Sequence, residues 1–239
     1  MTREAEQLSF FDHLDELRSR LIKVFAAILL FSFGAFHFKD WILAFMTKPL
    51  ENLVFTAPSD AFVVQVGISF FVGTLLAMPV ILYQLWQFLS SALKEQEKRM
   101  IYSFGPVSLL LFILGTLFAY FIVVPISLGF LLSFSSDILV PMISVRSYIS
   151  FLMTMVLAFG VIFEFPLLIL FLAKIGIATP AFLVQKRRYT IVLIFIVSAI
   201  LTPPDLFSLF LMAVPLLVMY ELSILAAKYM TKEDLAFKS

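Results

Sequence analysis

The sequence predicts an all-α membrane protein with six transmembrane helices. Two observations support this prediction, namely the apolar composition of the chain and its apolar runs of helix length. Of its 239 residues, 62% are hydrophobic and 14% are charged, and its mean hydropathy is +1.06. A soluble domain is about half apolar and about a quarter charged. When the loops and termini are assigned to alternate sides of the six predicted spans, 14 of the 17 Lys and Arg residues fall on one side of the membrane. That bias places both termini in the cytoplasm.

The first predicted element is an amphipathic helix over residues 8–21. Its apolar residues recur at steps of four, three and four, and they are Phe10, Leu14, Leu17 and Leu21. On the charged side, Glu16 and Arg20 are spaced for an ion pair, and so are Asp15 and Arg18. We expect this helix to lie at the membrane surface and to run into the first span. The alternative is a charged face that is only solvated.

The first span covers residues 22–38, and a polar stretch over 39–61 follows it. The second span lies within residues 61–93, about 50 Å if helical, which exceeds a bilayer core of about 30 Å. It must therefore project from the membrane or bend, and Pro79 marks the expected bend. Its end contains Trp86 and Phe88 and is typical of an interfacial aromatic belt.

A charged loop over residues 94–99 leads into the third span, residues 102–125. The fourth span, residues 148–173, contains one Asp, Glu, Lys, Arg or His residue, Glu164, near mid-membrane. A carboxyl costs at least a few kcal/mol if it faces lipid, so Glu164 is expected to face the protein or a wet cavity. Glu164 is expected to act as a gate, a ligand or a proton-responsive group. The alternative is a protonated carboxyl that only hydrogen-bonds neighbouring helices. Pro166 predicts a bend beside it.

The last two spans form a short hairpin after a loop over residues 174–188. The fifth has only 13 residues, 189–201, about 20 Å, and the sixth is apolar over 206–220. Asp205 stands where it can cap the sixth helix. No boundary divides the chain, so residues 1–239 are predicted to form one membrane domain.

Several kinds of chemistry lack a motif in this sequence. There is no cysteine, no HExxH and no P-loop, which argues against an enzyme and against a bound metal or other cofactor. A transporter, a channel or a receptor remains. Glu16 and Glu97 can converge on the cytoplasmic side, where two carboxylates suit two guanidinium groups. Alternatively, Glu97 pairs locally with a neighbouring lysine, and Glu95 is its rival as the second ligand.

Six segments in order resemble the TatC family, whose members are the core subunit of the twin-arginine protein translocase. They are HLDELRSRL (13–21), MPVILYQLWQF (78–88), FAYFIVVP (118–125), FGVIFEFP (159–166), KRRY (186–189) and LTPPD (201–205). Together they extend over most of the chain. The resemblance implies a receptor for twin-arginine signal peptides, in a translocase that exports folded proteins and is driven by the protonmotive force.

The resemblance also implies roles for single residues. Glu16 and Glu97 match the acidic pair that binds the two arginines, with Arg18 and Phe88 near them. The other matched positions are Pro49, Tyr120, Glu164 and Asp205. The long second to fourth spans and the short hairpin are expected to form a concave wall.

The expected partners are TatA- and TatB-type single-span subunits, other TatC copies, membrane lipid and signal peptides, but no nucleic acid. The expected location is the inner membrane of a prokaryote. The alternative function is a proton-coupled secondary transporter that uses Glu164.

Overall fold

The structure, a computed structural model, describes residues 2–50, 53–91, 95–136 and 141–236. Side chains are described for residues 13–50, 53–90, 104–136 and 141–229. The elements in order are α1 (Thr2–His37), α2 (Lys39–Thr47), β1 (Leu53–Val54), α3 (Asp60–Ser91), α4 (Glu95–Phe118), a π-helical segment (Ala119–Val123), α5 (Val124–Leu132), β2 (Ile143–Ser144), α6 (Val145–Phe163), α7 (Phe165–Lys174), α8 (Pro180–Leu201) and α9 (Leu206–Ala236).

Five stretches of the described chain are long and apolar enough to cross a membrane. They are His13–His37, Asp60–Ser90, Phe104–Leu132, Val145–Lys174 and Leu206–Tyr229. The predicted all-α membrane fold is therefore confirmed. α8 does not meet this criterion, because its first half contains the basic run at 186–188. The sixth span and the orientation of the chain stay predictions.

Four predicted boundaries are wrong, and in each case helix replaces a predicted loop or extends a predicted helix. α1 begins at Thr2 rather than at residue 8, and α2 lies within the predicted polar stretch. Most of the predicted charged loop at 94–99 is the first turn and a half of α4. α8 begins at Pro180, because Thr179 caps it by accepting a hydrogen bond from the Phe182 N–H at 3.2 Å.

The chain divides into two compact units, Met1–Leu109 and Leu110–Ser239. In the first unit, α1 packs along α3, and the two backbones come close where Gly73 faces Ser32. A Cβ on Gly73 would lie 2.5 Å from both the Cα and the backbone nitrogen of Ser32. Gly73 therefore permits this close helix crossing. Over residues 13–37, where its side chains are described, the rest of α1 is largely exposed, with Leu30 at 70% and Phe33 at 82%.

The start of α3 is held by a buried acidic residue that the sequence analysis did not single out. Asp60 is only 1% exposed, and its Oδ2 accepts hydrogen bonds from the backbone N–H groups of Thr56 and Ala57, at 3.0 and 2.8 Å. The Thr56 hydroxyl donates to the same oxygen at 2.8 Å. A carboxylate at a helix N-terminus is also favoured by the helix dipole. Asp60 thus fixes the loop that enters α3.

In the second unit, α4 and α6 cross through glycine and phenylalanine. A Cβ on Gly115 would lie 2.5 Å from the Phe159 carbonyl oxygen, and one on Gly160 would lie 2.5 Å from the Phe112 ring. Phe112 and Phe159 are almost fully buried, at 2% and 0% exposed. Each glycine therefore accommodates a neighbour that any larger residue would displace. This crossing lies one turn before Glu164 and supports that end of α6.

α7 ends in a Schellman motif, and α8 and α9 then pack together. Gly176, at φ +79°, adopts the left-handed conformation that this motif requires. The Ile177 N–H donates to the Leu172 carbonyl at 2.9 Å, and the Gly176 N–H donates to the Ala173 carbonyl at 3.1 Å. Along α8 and α9, Ile194, Ala213 and Ile224 belong to one buried cluster.

Candidate functional site

Glu16 lies in a part-buried polar cluster on α1. Arg20, one turn later, donates from Nε to Glu16 Oε1 at 2.9 Å, and its Nη2 donates to the same oxygen. The predicted Glu16–Arg20 ion pair is therefore confirmed. His13 approaches the other carboxylate oxygen, with its Nδ1 3.5 Å from Oε2. The Glu16 side chain is 28% exposed and that of Arg20 is 14% exposed, so the pair is only partly screened by solvent.

Two side chains of α3 complete this cluster. Gln84 Oε1 accepts a hydrogen bond from Arg20 Nη1 at 3.1 Å, which fixes the guanidinium from the other helix. The ring of Phe88 meets the ring of His13 edge-on, with 6.1 Å between the centroids. The structure thus connects Glu16 to Phe88 through His13. The sequence analysis did not assign His13 or Gln84 to this cluster. The spacing of three residues between His13 and Glu16 is a sequence signal for their contact, whereas the contact of Gln84 with Arg20 depends on the register of α3 against α1.

The sequence also predicts Arg18 and Glu97 at this site, and neither is part of the cluster that the structure describes. Arg18 and Asp15 are both exposed, and neither has an ion-pair partner among the described side chains, so their predicted pairing is wrong. The backbone of Glu97 lies in the first turn of α4, but its side chain lies outside the described residues. The convergence of Glu97 with Glu16 therefore stays a prediction.

Trp86 does not belong to an interfacial aromatic belt, which corrects that part of the sequence prediction. It is only 4% exposed, and its ring meets Phe104 edge-on with centroids 5.3 Å apart. The neighbouring Phe88 is half-buried against His13. Each ring therefore packs against a neighbouring helix of the first unit, Trp86 against α4 and Phe88 against α1.

Glu164 lies at a break between two helices of the fourth span. α6 ends at Phe163 and α7 begins at Phe165, with Pro166 in the first turn of α7. Proline has no N–H and cannot continue the α6 hydrogen-bond ladder. The Glu164 N–H donates instead to the Val161 carbonyl at 3.1 Å. The predicted interruption is confirmed, and Oε1 of Glu164 is buried within the protein, as expected for a carboxyl in a span.

Pro49 and Tyr120 occupy special positions in the backbone. Pro49 is exposed and follows the last turn of α2, which it cannot continue because its ring excludes further helical hydrogen bonding. Tyr120 lies in the π-helical segment, with its ring edge-on to Phe121 at 5.0 Å between centroids. π-Helical turns often occur at functional sites. The functional roles of Pro49 and Tyr120 stay predictions.

Asp205 caps α9, as the sequence predicts. Its Oδ1 accepts a hydrogen bond from the Ser208 N–H at 2.7 Å, three residues into the helix. We expect Asp205→Ala to lower the free energy of unfolding by about 1 kcal/mol, because this N–H loses its acceptor. Asp205→Asn keeps a side-chain acceptor and is the control. Thermal unfolding in detergent measures both, and equal melting temperatures for the two variants would contradict a capping role.

No cluster of three or more His, Asp or Glu side chains suited to a metal ion occurs among the described residues. The helices, the polar cluster around Glu16 and the buried carboxyl of Glu164 define a polytopic helical membrane protein with acidic groups on and within its spans. Comparison with known families shows which family of membrane proteins this chain resembles. The family model for TatC, Sec-independent protein translocase protein, matches residues 12–215.

The chain belongs to the TatC family of Sec-independent protein translocase proteins. It is 39% identical over 236 residues to TatC of Carboxydothermus hydrogenoformans, covering 97% of both chains. It is 41% identical over 230 residues to TatC of Aquifex aeolicus, covering 93% of this chain and 95% of that protein. A crystal structure described as the twin arginine translocase receptor TatC matches with a TM-score of 0.84 and 42% identity. That match covers 92% of this chain and 99% of the other. This chain is therefore a membrane-embedded translocase component, a transport subunit rather than an enzyme.

Proposed function

We propose that this chain is the receptor for twin-arginine signal peptides and the core subunit of a translocase that exports folded proteins. One observation carries the proposal, namely the part-buried carboxylate of Glu16, held in place by Arg20. Its Oε1 accepts hydrogen bonds from Arg20, and its Oε2 lies 3.5 Å from His13 Nδ1. A carboxylate has two oxygens with about four acceptor sites and can serve more than one cationic donor, so the arginines of a signal peptide dock beside this group in our proposal.

The remaining site assignments are part of the same proposal. Glu97 supplies the second carboxylate, while Arg18 and Phe88 border the docking surface. Glu164 is the intramembrane polar group that the inserted signal peptide approaches. Pro49, Tyr120 and Asp205 shape the backbone around the site. The cluster of His13, Glu16 and Phe88 supports the position of the docking surface.

The proposal includes the cellular setting of the chain. It lies in the inner membrane of a prokaryote with six spans and both termini in the cytoplasm, as the distribution of basic residues favours. It assembles with TatA- and TatB-type subunits and with other copies of itself, and the protonmotive force drives transport. Membership of a protein translocase family disfavours the alternative, a proton-coupled secondary transporter.

Binding of synthetic signal peptides to the detergent-solubilised protein tests the receptor role. We expect an Arg-Arg peptide to bind about tenfold more tightly than its Lys-Lys counterpart, because guanidinium groups pair with carboxylates in bidentate geometry. Glu16→Gln is expected to abolish this preference. The control is Asp15→Asn, which removes the same charge from the adjacent exposed residue and should leave the preference intact. Equal binding of both peptides to the unmodified protein would mean that only general charge attraction acts, and the receptor proposal would fail.

A further inference from the structure

α8 presents two different faces, and only one of them contacts α9. Leu183 and Arg187 lie one turn apart on the contacting face. The Leu183 carbonyl accepts a hydrogen bond from the Tyr220 hydroxyl at 2.7 Å, and Arg187 Nη2 lies 2.9 Å from Glu221 Oε2. The charge of Arg187 is therefore balanced within the protein.

The other face of α8 carries an exposed stripe at steps of four and three. Its members are Phe182, Lys186, Tyr189, Leu193, Ile196 and Ile200, and we call it the α8 stripe. At its basic end, Lys186 Nζ lies 5.9 Å from the Phe182 ring centroid and 5.5 Å from that of Tyr189. Arg188 joins this end, with its Cζ 4.7 Å from the Tyr189 ring centroid and its Nη2 donating to the Tyr189 hydroxyl at 2.7 Å. The two cations thus converge on one tyrosine.

Charge balance differs sharply between this group and Arg187. Among the described side chains, neither Lys186 nor Arg188 has an acidic partner, although both belong to the same helix turn as Arg187. Aromatic rings attract cations but do not neutralise them. Phe182 and Tyr189 are 48% and 56% exposed, as is usual for aromatic side chains at a membrane–water interface. Within the described part of the chain, the basic end of the stripe therefore faces no acidic side chain, and it has the composition of an interfacial site.

We propose that the α8 stripe binds one anionic phospholipid. Lys186 and Arg188 contact the phosphate headgroup, for which the planar guanidinium supplies paired donors. The Tyr189 hydroxyl accepts from Arg188 and has its own proton to donate to a phosphate oxygen.

The apolar end of the stripe fits an acyl chain. Leu193, Ile196 and Ile200 are 59%, 51% and 75% exposed, and they continue the line away from the headgroup. The rise from Tyr189 to Ile200 is about 16 Å, close to the thickness of one hydrocarbon leaflet, about 15 Å. Charge and length together select a lipid rather than a soluble anion.

Native mass spectrometry of the full chain in detergent, titrated with phosphatidylglycerol or phosphatidylcholine, tests this proposal. We expect phosphatidylglycerol to be preferred, and Lys186→Gln with Arg188→Gln to weaken its binding about thirtyfold, from about 1 kcal/mol per cation. The matched control is Lys23→Gln with Lys228→Gln, which removes two exposed cations elsewhere and should change binding little. Lys186→Arg with Arg188→Lys keeps both charges and should retain binding.

Three results would overturn the proposal. Equal weakening in the control pair would show general charge attraction rather than a site. Equal occupancy by phosphatidylcholine would show that the phosphate and the acyl chains suffice without net negative charge. Competition by inorganic phosphate at the same concentration as the lipid would assign the site to a soluble anion. All variants should keep the melting temperature of the unmodified protein in lipid-free detergent, because the substituted side chains are exposed.

Discussion

Gly73→Ala is expected to destabilise the protein by about 2 to 3 kcal/mol, because it forces α1 and α3 apart. The added Cβ would overlap Ser32 Oγ and would lie 2.5 Å from two backbone atoms of the same residue. A side chain can rotate away from such a clash, whereas the backbone of a helix cannot. Thermal unfolding in detergent should therefore show a lower melting temperature.

Gly34→Ala is the matched control for this substitution. Gly34 lies on α1, and a Cβ there would meet nothing within 4 Å, so the same change should be neutral or slightly stabilising through helix propensity. Adding Ser32→Ala to Gly73→Ala should rescue only a small part of the loss, since the two backbone contacts remain. Equal melting temperatures for Gly73→Ala and Gly34→Ala would show that α1 and α3 do not cross this closely.

Exchanging the charges of Glu16 and Arg20 is expected to abolish binding of a twin-arginine peptide while the fold persists. Glu16→Arg with Arg20→Glu re-forms the one-turn ion pair in reverse order, which costs a few tenths of a kcal/mol. Gln84 can turn its amide group and donate to the carboxylate introduced at position 20. The docking position, however, changes from an acceptor of guanidinium groups to a cation that repels them.

The expected loss of affinity in this exchange is at least about a hundredfold. It removes charge-assisted hydrogen bonds of about 1.5–3 kcal/mol each and adds repulsion between like charges. Fluorescence anisotropy with a labelled peptide measures the affinity, and thermal unfolding confirms the fold. Arg20→Gln is the contrasting variant, since it leaves the Glu16 carboxylate in place and should retain binding. A charge exchange that folds and still binds the peptide would remove Glu16 from the proposed site.

The comparison of the sequence with the structure separates local from tertiary information. Composition and hydropathy were enough for the all-α membrane fold, because a continuous apolar run of about 20 residues crosses a bilayer as a helix whatever the arrangement of the helices. Residue types and their local spacing also predict the Asp205 cap, the Glu16–Arg20 ion pair and the helix break beside Pro166, and the structure confirms all three. Each of these depends on residues within a turn or two of one another, where spacing alone determines what can meet.

Helix limits were less predictable, because charged residues do not end a helix that tertiary packing or capping sustains. The predicted loop at 94–99 is mostly helical, and the Thr179 cap extends α8 nine residues ahead of its apolar part. Polarity predicts where the chain leaves the membrane, but it does not mark where the backbone stops being helical.

By itself, the sequence determined the class of protein, the local caps and breaks, and the residues that carry charge into apolar helices. Only the tertiary structure decided which of them meet. Arg20 reaches Gln84 and His13 reaches Phe88 because α1 packs on α3 in one register. Trp86 is buried rather than interfacial, with its ring against Phe104 of α4. The close approach at Gly73 permits that register. Hydropathy cannot encode it, since apolar faces attract lipid and other helices alike, and steric fit between particular residues selects the partner.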